Sequence, residues 1–158
     1  EIAGSKVFGR GDLLTEEEAT DRRRVFDISL LGRRLGGAAE WVRSEPRTRG
    51  LPVAYFGAST GAAAALVAAA DDPAIGAVVS RGGRPDLAGD ALPAVRAATL
   101  LIVGGDDGPV IGMNESALAR LRCEKRLVVV PGAGHLFEEP GTPEVAAELA
   151  SAWYRGPS

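Results

Sequence analysis

A chain of 158 residues, 46% hydrophobic and 25% charged, is long enough for one domain with its own core and too apolar to be disordered. Its longest apolar run, residues 62–70, falls short of the about 18–20 residues that a bilayer requires. A net charge of −3 and 5% aromatic residues speak against a nucleic-acid binder, and the single cysteine, Cys123, excludes an internal disulfide framework and a multi-cysteine zinc site.

In chain order, residues 4–9 predict at most a short strand. Thr15-Glu16-Glu17-Glu18 has the pattern of a capping box, with Thr at the N-cap and Glu at N3. A helical stretch follows, with Ile28, Leu31, Leu35, Ala38 and Val42 forming one apolar face. Gly36 and Gly37 weaken it, and Pro46 ends the region. Residues 52–56 predict a short buried strand, and residues 60–70 a helix built almost wholly of alanine. Further strands are expected over 75–80, 98–103 and 126–130. A Gly/Pro/Asp loop is expected over 81–90 and a helix from Asn114. Thr142-Pro143 opens the last helix, as a capping residue followed by Pro at N1, and Gly156 closes it.

Apolar strands that do not alternate, each separated by a helix, predict an α/β fold: a mostly parallel sheet with helices on both faces. Function in such sheets sits at the carboxyl ends of the strands. The loops to read are therefore 57–61, 81–90, 104–108 and 131–137.

Gly57-Ala58-Ser59-Thr60-Gly61 is a G-x-S-x-G sequence. In a chain with 21 glycines the pattern alone is weak. Its setting strengthens it, because it follows an apolar strand and opens a helix, as a nucleophile elbow must. A sharp turn there projects the Ser59 hydroxyl from the sheet edge, with glycine on both flanks to relieve crowding. The Thr60 N–H, at the helix start, would face a developing oxyanion. The alternatives are a turn used only for close packing and a phosphate-binding loop. The latter lacks a Walker lysine, and Ser59 replaces the middle glycine of a dinucleotide fingerprint.

A nucleophilic serine needs a base. The only histidine, His135, follows the last strand in Gly132-Ala133-Gly134-His135. A base needs an orienting carboxylate, and Asp106-Asp107 follows the strand over 98–103. Asp107, deeper in the turn before Gly108-Pro109, is the preferred triad acid; Asp106 is the alternative. The chain order is Ser, Asp, His.

With these residues the chain resembles the dienelactone hydrolase family of the α/β-hydrolases, from about Asp12 to Arg155. The resemblance rests on Tyr55-Phe56-Gly57-Ala58-Ser59-Thr60-Gly61, Val79-Ser80-Arg81-Gly82-Gly83-Arg84-Pro85-Asp86, Leu101-Ile102-Val103-Gly104-Gly105-Asp106-Asp107 and Pro131-Gly132-Ala133-Gly134-His135. Similar members stand alone or form the C-terminal half of a fusion to a phosphoribosyltransferase domain. The resemblance implies hydrolysis of esters or lactones through an acyl-enzyme, with Ser59 as nucleophile, His135 as base and Asp107 as orienter. The eponymous enzymes carry cysteine at the elbow; serine here favours small carboxylic esters or lactones over a dienelactone.

A complete member has about eight strands and draws a second oxyanion N–H from a His-Gly-rich loop after an early strand. No such loop is present in this sequence. Residues 1–158 are therefore expected to be a single, N-terminally truncated domain holding the fourth to eighth strands. Gly9 or Gly11 is the candidate substitute donor. The sheet edge so exposed invites a second copy of the chain or the missing N-terminal segment.

Arg81 and Arg84 could hold a substrate carboxylate, unless they pair with Asp86 or Asp90. Cys123 is expected to be structural, Trp41 and Trp153 to pack on helix faces, and Arg22, Arg23, Arg24, Arg33 and Arg34 to lie on a solvated face, with Glu18 and Arg22 as an i,i+4 pair. No ligand spacing for a metal is present, and no cofactor, nucleic acid or membrane partner is expected. The chain starts at Glu1 and not at Met, so its true start is expected to lie upstream; no signal-peptide pattern is present, a single thiol fits a reducing compartment, and a cytoplasmic setting is expected. The competing reading is a hydrolase-fold domain that is catalytically incomplete and serves ligand binding or assembly.

Overall fold

A computed structural model describes residues 11–156. The expected strand over residues 4–9, and Gly9 as a donor, lie outside that range. Two short helices, α1 (Glu16–Ala19) and α2 (Arg22–Val25), precede the long α3 (Ile28–Ser44). Then come β1 (Val53–Ser59), α4 (Thr60–Asp71), β2 (Ile75–Gly83), a 3-10 segment (Pro85–Ala94), β3 (Ala98–Gly104), α5 (Gly108–Arg120), β4 (Lys125–Val130) and α6 (Thr142–Arg155).

The four strands form one parallel sheet in the order β1-β2-β3-β4. Each crossover steps the same way, and right-handed crossovers then fall on one face. Accordingly α4, the 3-10 segment and α5 share a cluster with that face, through Ala65, Leu66, Leu92 and Ala117 against Val78 and Leu101. Val79, Leu100 and Ile102, one residue out of phase, point to the opposite face and pack on Ala146 and Ala150 of α6. Two hydrogen bonds fasten α6 to the sheet: Trp153 Nε1 donates to the Ala98 carbonyl at 3.0 Å, and Tyr154 Oη to the Tyr55 carbonyl at 2.8 Å.

The alanine helix α4 is the centre of the molecule. Ala62 to Leu66 are fully buried, because α3 covers the side of α4 turned away from the sheet. Small side chains are what let three layers pack so closely there. Gly32 of α3 sits on Val67, where an added Cβ would come within 3.1 Å of a side-chain methyl.

Several boundaries differ from the sequence reading. The capping box at Thr15 forms, but the helix it opens ends at Ala19. Asp21 and Asp27 then cap new helices by accepting the Arg23 and Leu30 N–H groups. That break removes the expected Glu18–Arg22 pair, and Glu18 instead binds Arg34 at 2.6 and 2.9 Å and Arg24 at 3.3 Å. On α3 the buried stripe runs through Leu31, Gly32 and Ala39, with Ala38 exposed. Trp41 lies off that stripe and is 63% exposed, so it does not pack as expected; Trp153 does. Helix α5 starts at Gly108, not Asn114, because Pro109 sits in its first turn, where a missing N–H costs nothing. Strand β2 continues to Gly83, past the expected loop start at 81. The N-cap of α6 is Gly141, and the Thr142 hydroxyl instead donates to the Glu139 carbonyl. Among the described residues no helix is long and apolar enough to cross a membrane, and no group of three or more His, Cys, Asp or Glu side chains could hold a metal.

Candidate active site

Ser59 is the last residue of β1 and the N-cap of α4, with φ 50° and ψ −127°. Positive φ in a non-glycine residue is strained by about 1–3 kcal/mol and persists only where the surroundings enforce it. Here the strand, the helix start and Gly57 enforce it. A Cβ on Gly57 would lie 2.5 Å from the Gly61 carbonyl oxygen and 2.7 Å from the Ala62 Cα. Gly57 is therefore glycine because α4 turns back directly over it. Gly61 has open space where a Cβ would stand, so the expected crowding acts on one flank only. No side chain caps α4, which leaves the Thr60 N–H at the helix start beside the Ser59 side chain.

His135 and Asp107 meet across two neighbouring loops. His135 Nδ1 lies 2.7 Å from Asp107 Oδ2, a short contact between an imidazole and a carboxylate. Asp107 is the better shielded partner, with its side chain 12% exposed against 40% for His135. Asp106 is exposed and contributes its backbone N–H to the Ala133 carbonyl. The two loops are laced together by that bond and by the Gly105 N–H to the Val130 carbonyl at 2.8 Å. Asp107, its own N–H donated to the Gly104 carbonyl, is thereby turned toward His135. Among the described residues no hydrogen bond joins Ser59 Oγ to His135. Both stand at the carboxyl edge of the sheet, Ser59 at the end of β1 and His135 in the loop after β4.

Two glycines that the sequence reading placed in these loops without assigning them a role shape this edge. At Gly82, φ is +53° and a Cβ would come within 2.5 Å of the His135 carbonyl oxygen. A Cβ on Gly104 would overlap the Ala133 carbonyl. The histidine loop thus lies directly on the ends of β2 and β3. The Gly82-Gly83 and Gly104-Gly105 doublets at strand ends were the available signal. Glu139 adds an anchor: hydrogen bonds from backbone N–H groups, Gly134 first, hold its carboxyl below the usual range.

The two arginines differ in their surroundings. Arg84 makes a two-pronged pair with Asp86, Nε at 2.9 Å and Nη2 at 2.8 Å, which raises its pKa. Asp90 pairs instead with Arg120 at 3.0 Å. Arg81 lies over the Phe137 ring at 5.7 Å and donates a long bond to the Leu136 carbonyl. Cys123 stands away from this edge, with Sγ 3.7 Å from the Thr99 hydroxyl.

The sequence profile of the dienelactone hydrolase family matches residues 14–156. The chain belongs to this family. A crystal structure of the dienelactone hydrolase from Anabaena variabilis is 60% identical, with a TM-score of 0.85, over 91% of this chain and 69% of that one. A lidless α/β serine hydrolase from Xanthomonas campestris is 26% identical, with a TM-score of 0.62, over 80% of this chain and 56% of its own. An esterase domain from Rhodothermus marinus shares the fold at 19% identity and a TM-score of 0.67, over 78% of this chain and 68% of that one. Mycobacterium tuberculosis proteins of two strains, provisionally named phosphoribosyl transferases, are 59% identical over 144 residues, which is 90% of this chain. The chain spans 32% of their length, which agrees with family members occurring as part of a longer fusion. The parallel sheet and these neighbours make the chain an α/β-hydrolase-type domain.

Proposed function

We propose that this family member is a serine hydrolase of small carboxylic esters or lactones, working through an acyl-enzyme. The observation that carries the reading is the backbone of Ser59, held at positive φ between strand and helix at the edge where His135 meets Asp107. Such strain is kept where it exposes a reactive side chain. The family relationship to a dienelactone hydrolase at 60% identity supports the hydrolytic chemistry.

In this mechanism Ser59 Oγ attacks the carbonyl carbon and His135 Nε2 accepts its proton. Asp107 holds the Nδ1–H tautomer and stabilises the imidazolium. The Thr60 N–H donates to the oxyanion of the tetrahedral intermediate. Collapse breaks the bond to the leaving alcohol, which takes the proton from His135. Water then attacks the acyl-enzyme, again giving its proton to His135, and the acid leaves as Ser59 is restored. No redox step or cofactor enters this balance. A second oxyanion donor is not identified among the described residues, and each such donor contributes about 10²–10³ in rate. For an acidic substrate Arg81 is the better carboxylate partner, since Asp86 already occupies the fork of Arg84.

Fluorophosphonate labelling with peptide mass mapping tests the proposal. The expected adduct is on Ser59 and disappears in His135→Ala. A folded protein without an adduct, or with one elsewhere, overturns it and favours a ligand-binding or assembly domain.

A further inference from the structure

Asn114 is fully buried in the middle of α5, in a position where its helix neighbours at the same face, Ala117 and Leu118, are apolar. A buried amide is costly unless bonded. Its Nδ2 donates twice: to the Val110 carbonyl one turn back at 2.9 Å, and across to the Gly83 carbonyl at the end of β2 at 3.2 Å. Its Oδ1 has no partner among the described residues. A side chain that spends its donors this way, with its acceptor unmet, is not chosen for packing alone, because a leucine would fill the same space without the polar cost.

The two bonds lead to the two halves of the site. Gly83 pairs with Ser59 in the sheet, after a register shift between Ala58 and Ser59, and the next N–H, that of Arg84, donates to the Ser59 carbonyl at 3.0 Å. Val110 lies in the first turn of α5, and its N–H donates to the Asp107 carbonyl at 3.0 Å. Gly83 is closely packed: a Cβ there would overlap the Ser80 hydroxyl and come within 2.5 Å of the Ala62 Cβ in the first turn of α4. The elbow and the acid loop are otherwise on different strands, with β2 between them.

We propose that Asn114 is a positioning residue that sets the Ser59 elbow and the Asp107 loop in register, by tying the helix that follows Asp107 to the strand end that holds the Ser59 carbonyl. This rests on the serine-hydrolase reading. Asn114 touches no reacting atom. Its loss lets α5 and the end of β2 move independently, so the acid–base pair is offset from the nucleophile. A displacement near 1 Å costs on the order of 10²-fold in rate. Substrate binding outside the reacting atoms is unaffected.

The test uses the full-length protein and three variants: Asn114→Leu, Asn114→Thr and the control Leu118→Ala on the same helix. Threonine keeps a hydroxyl able to bond the carbonyl one turn back, so it spares the Val110 bond and removes the Gly83 bond. Readouts are the rate of fluorophosphonate labelling at Ser59, kcat and KM for a small ester, and the denaturation midpoint. The expected result for both Asn114 variants is a 10- to 100-fold fall in labelling rate and kcat, with KM within about twofold. Leu118→Ala should lower the denaturation midpoint with kcat intact. Wild-type labelling with unchanged rates in both Asn114 variants overturns this inference alone. An equal kcat loss in Leu118→Ala overturns it too, since softness of α5 would then suffice. Failure of both Asn114 variants to fold assigns the residue to folding and overturns the positioning role. An unlabelled wild type overturns the serine-hydrolase reading together with it.

Discussion

Gly57, Gly82 and Gly104 stand at the carboxyl ends of three neighbouring strands, and in each the place of a side chain is taken by backbone. Gly57 makes room for α4, the other two for the histidine loop. Gly82→Ala meets both a positive φ and the His135 carbonyl, so it should destabilise by about 1–3 kcal/mol and lower kcat more than it changes KM. Urea denaturation with steady-state kinetics checks this, and unchanged kcat would sever Gly82 from His135. At the acid, Asp107→Asn should cut kcat by about 10⁴-fold through loss of the imidazole's orientation, while Asp106→Asn should leave it within a fewfold. Reversal of that order would make Asp106 the triad acid. Position in the turn favoured Asp107 and left Asp106 as the alternative, and it is Asp107 that the structure places against His135. The commitment of Arg84 to Asp86 was present in the sequence as one alternative among several, and only the side-chain geometry selects it.

The start of the chain shows how elements are limited by their caps. Residues 15–44 carry enough helical periodicity for one long helix, yet Asp21 and Asp27 divide it by accepting backbone N–H groups. The three pieces are then held by Glu18. The Arg34 guanidinium, and after it the Thr15 N–H, bring the Glu18 carboxyl from 4.5 to about 2. The folded pKa is the depressed one, so the contribution is complete above pH 4.5 and is lost as pH falls toward 2. NMR titration of Glu18 should show a midpoint near 2, and Arg34→Gln should raise it. A midpoint of 4.5 in the wild type would mean that the pair does not form in solution. The start of α5 was harder to read. Gly108-Pro109 has the composition of a turn, and the proline is accommodated only because the first helical turn needs no N–H from it.

At the scale of the molecule, one helix with almost no side-chain bulk lies between α3 and the sheet. Leu66 is its largest fully buried side chain. Leu66→Ala should cost about 2–5 kcal/mol, since a helix locked between two layers cannot close the cavity. Denaturant titration checks this, and a loss well below that range would show that α3 follows the collapse. The opposite face depends on α6 and its long-range bonds to Ala98 and Tyr55. Tyr154→Phe should cost about 1 kcal/mol by the same measurement, leaving the carbonyl of Tyr55 without its donor. β1 is one of the two edge strands among the described residues, and Phe56 on its α6 side is exposed, because α6 packs mainly over β2, β3 and β4 and reaches β1 through Tyr154.

The amino-acid sequence is enough to specify the parallel α/β architecture, because strands buried on both faces must be apolar throughout and helices between them must carry matching stripes. It also determined which loops gather at one edge, since parallel strands place all their carboxyl ends together. Tertiary structure alone decided what those loops do to one another. The contact of Asp107 with His135, the seating of the histidine loop on Gly82 and Gly104, the exposure of Trp41 and the burial of Asn114 each join or separate residues far apart in the chain. Hydrophobic periodicity carries the direction of a side chain relative to its own element. Which partner stands there is set only when the layers pack.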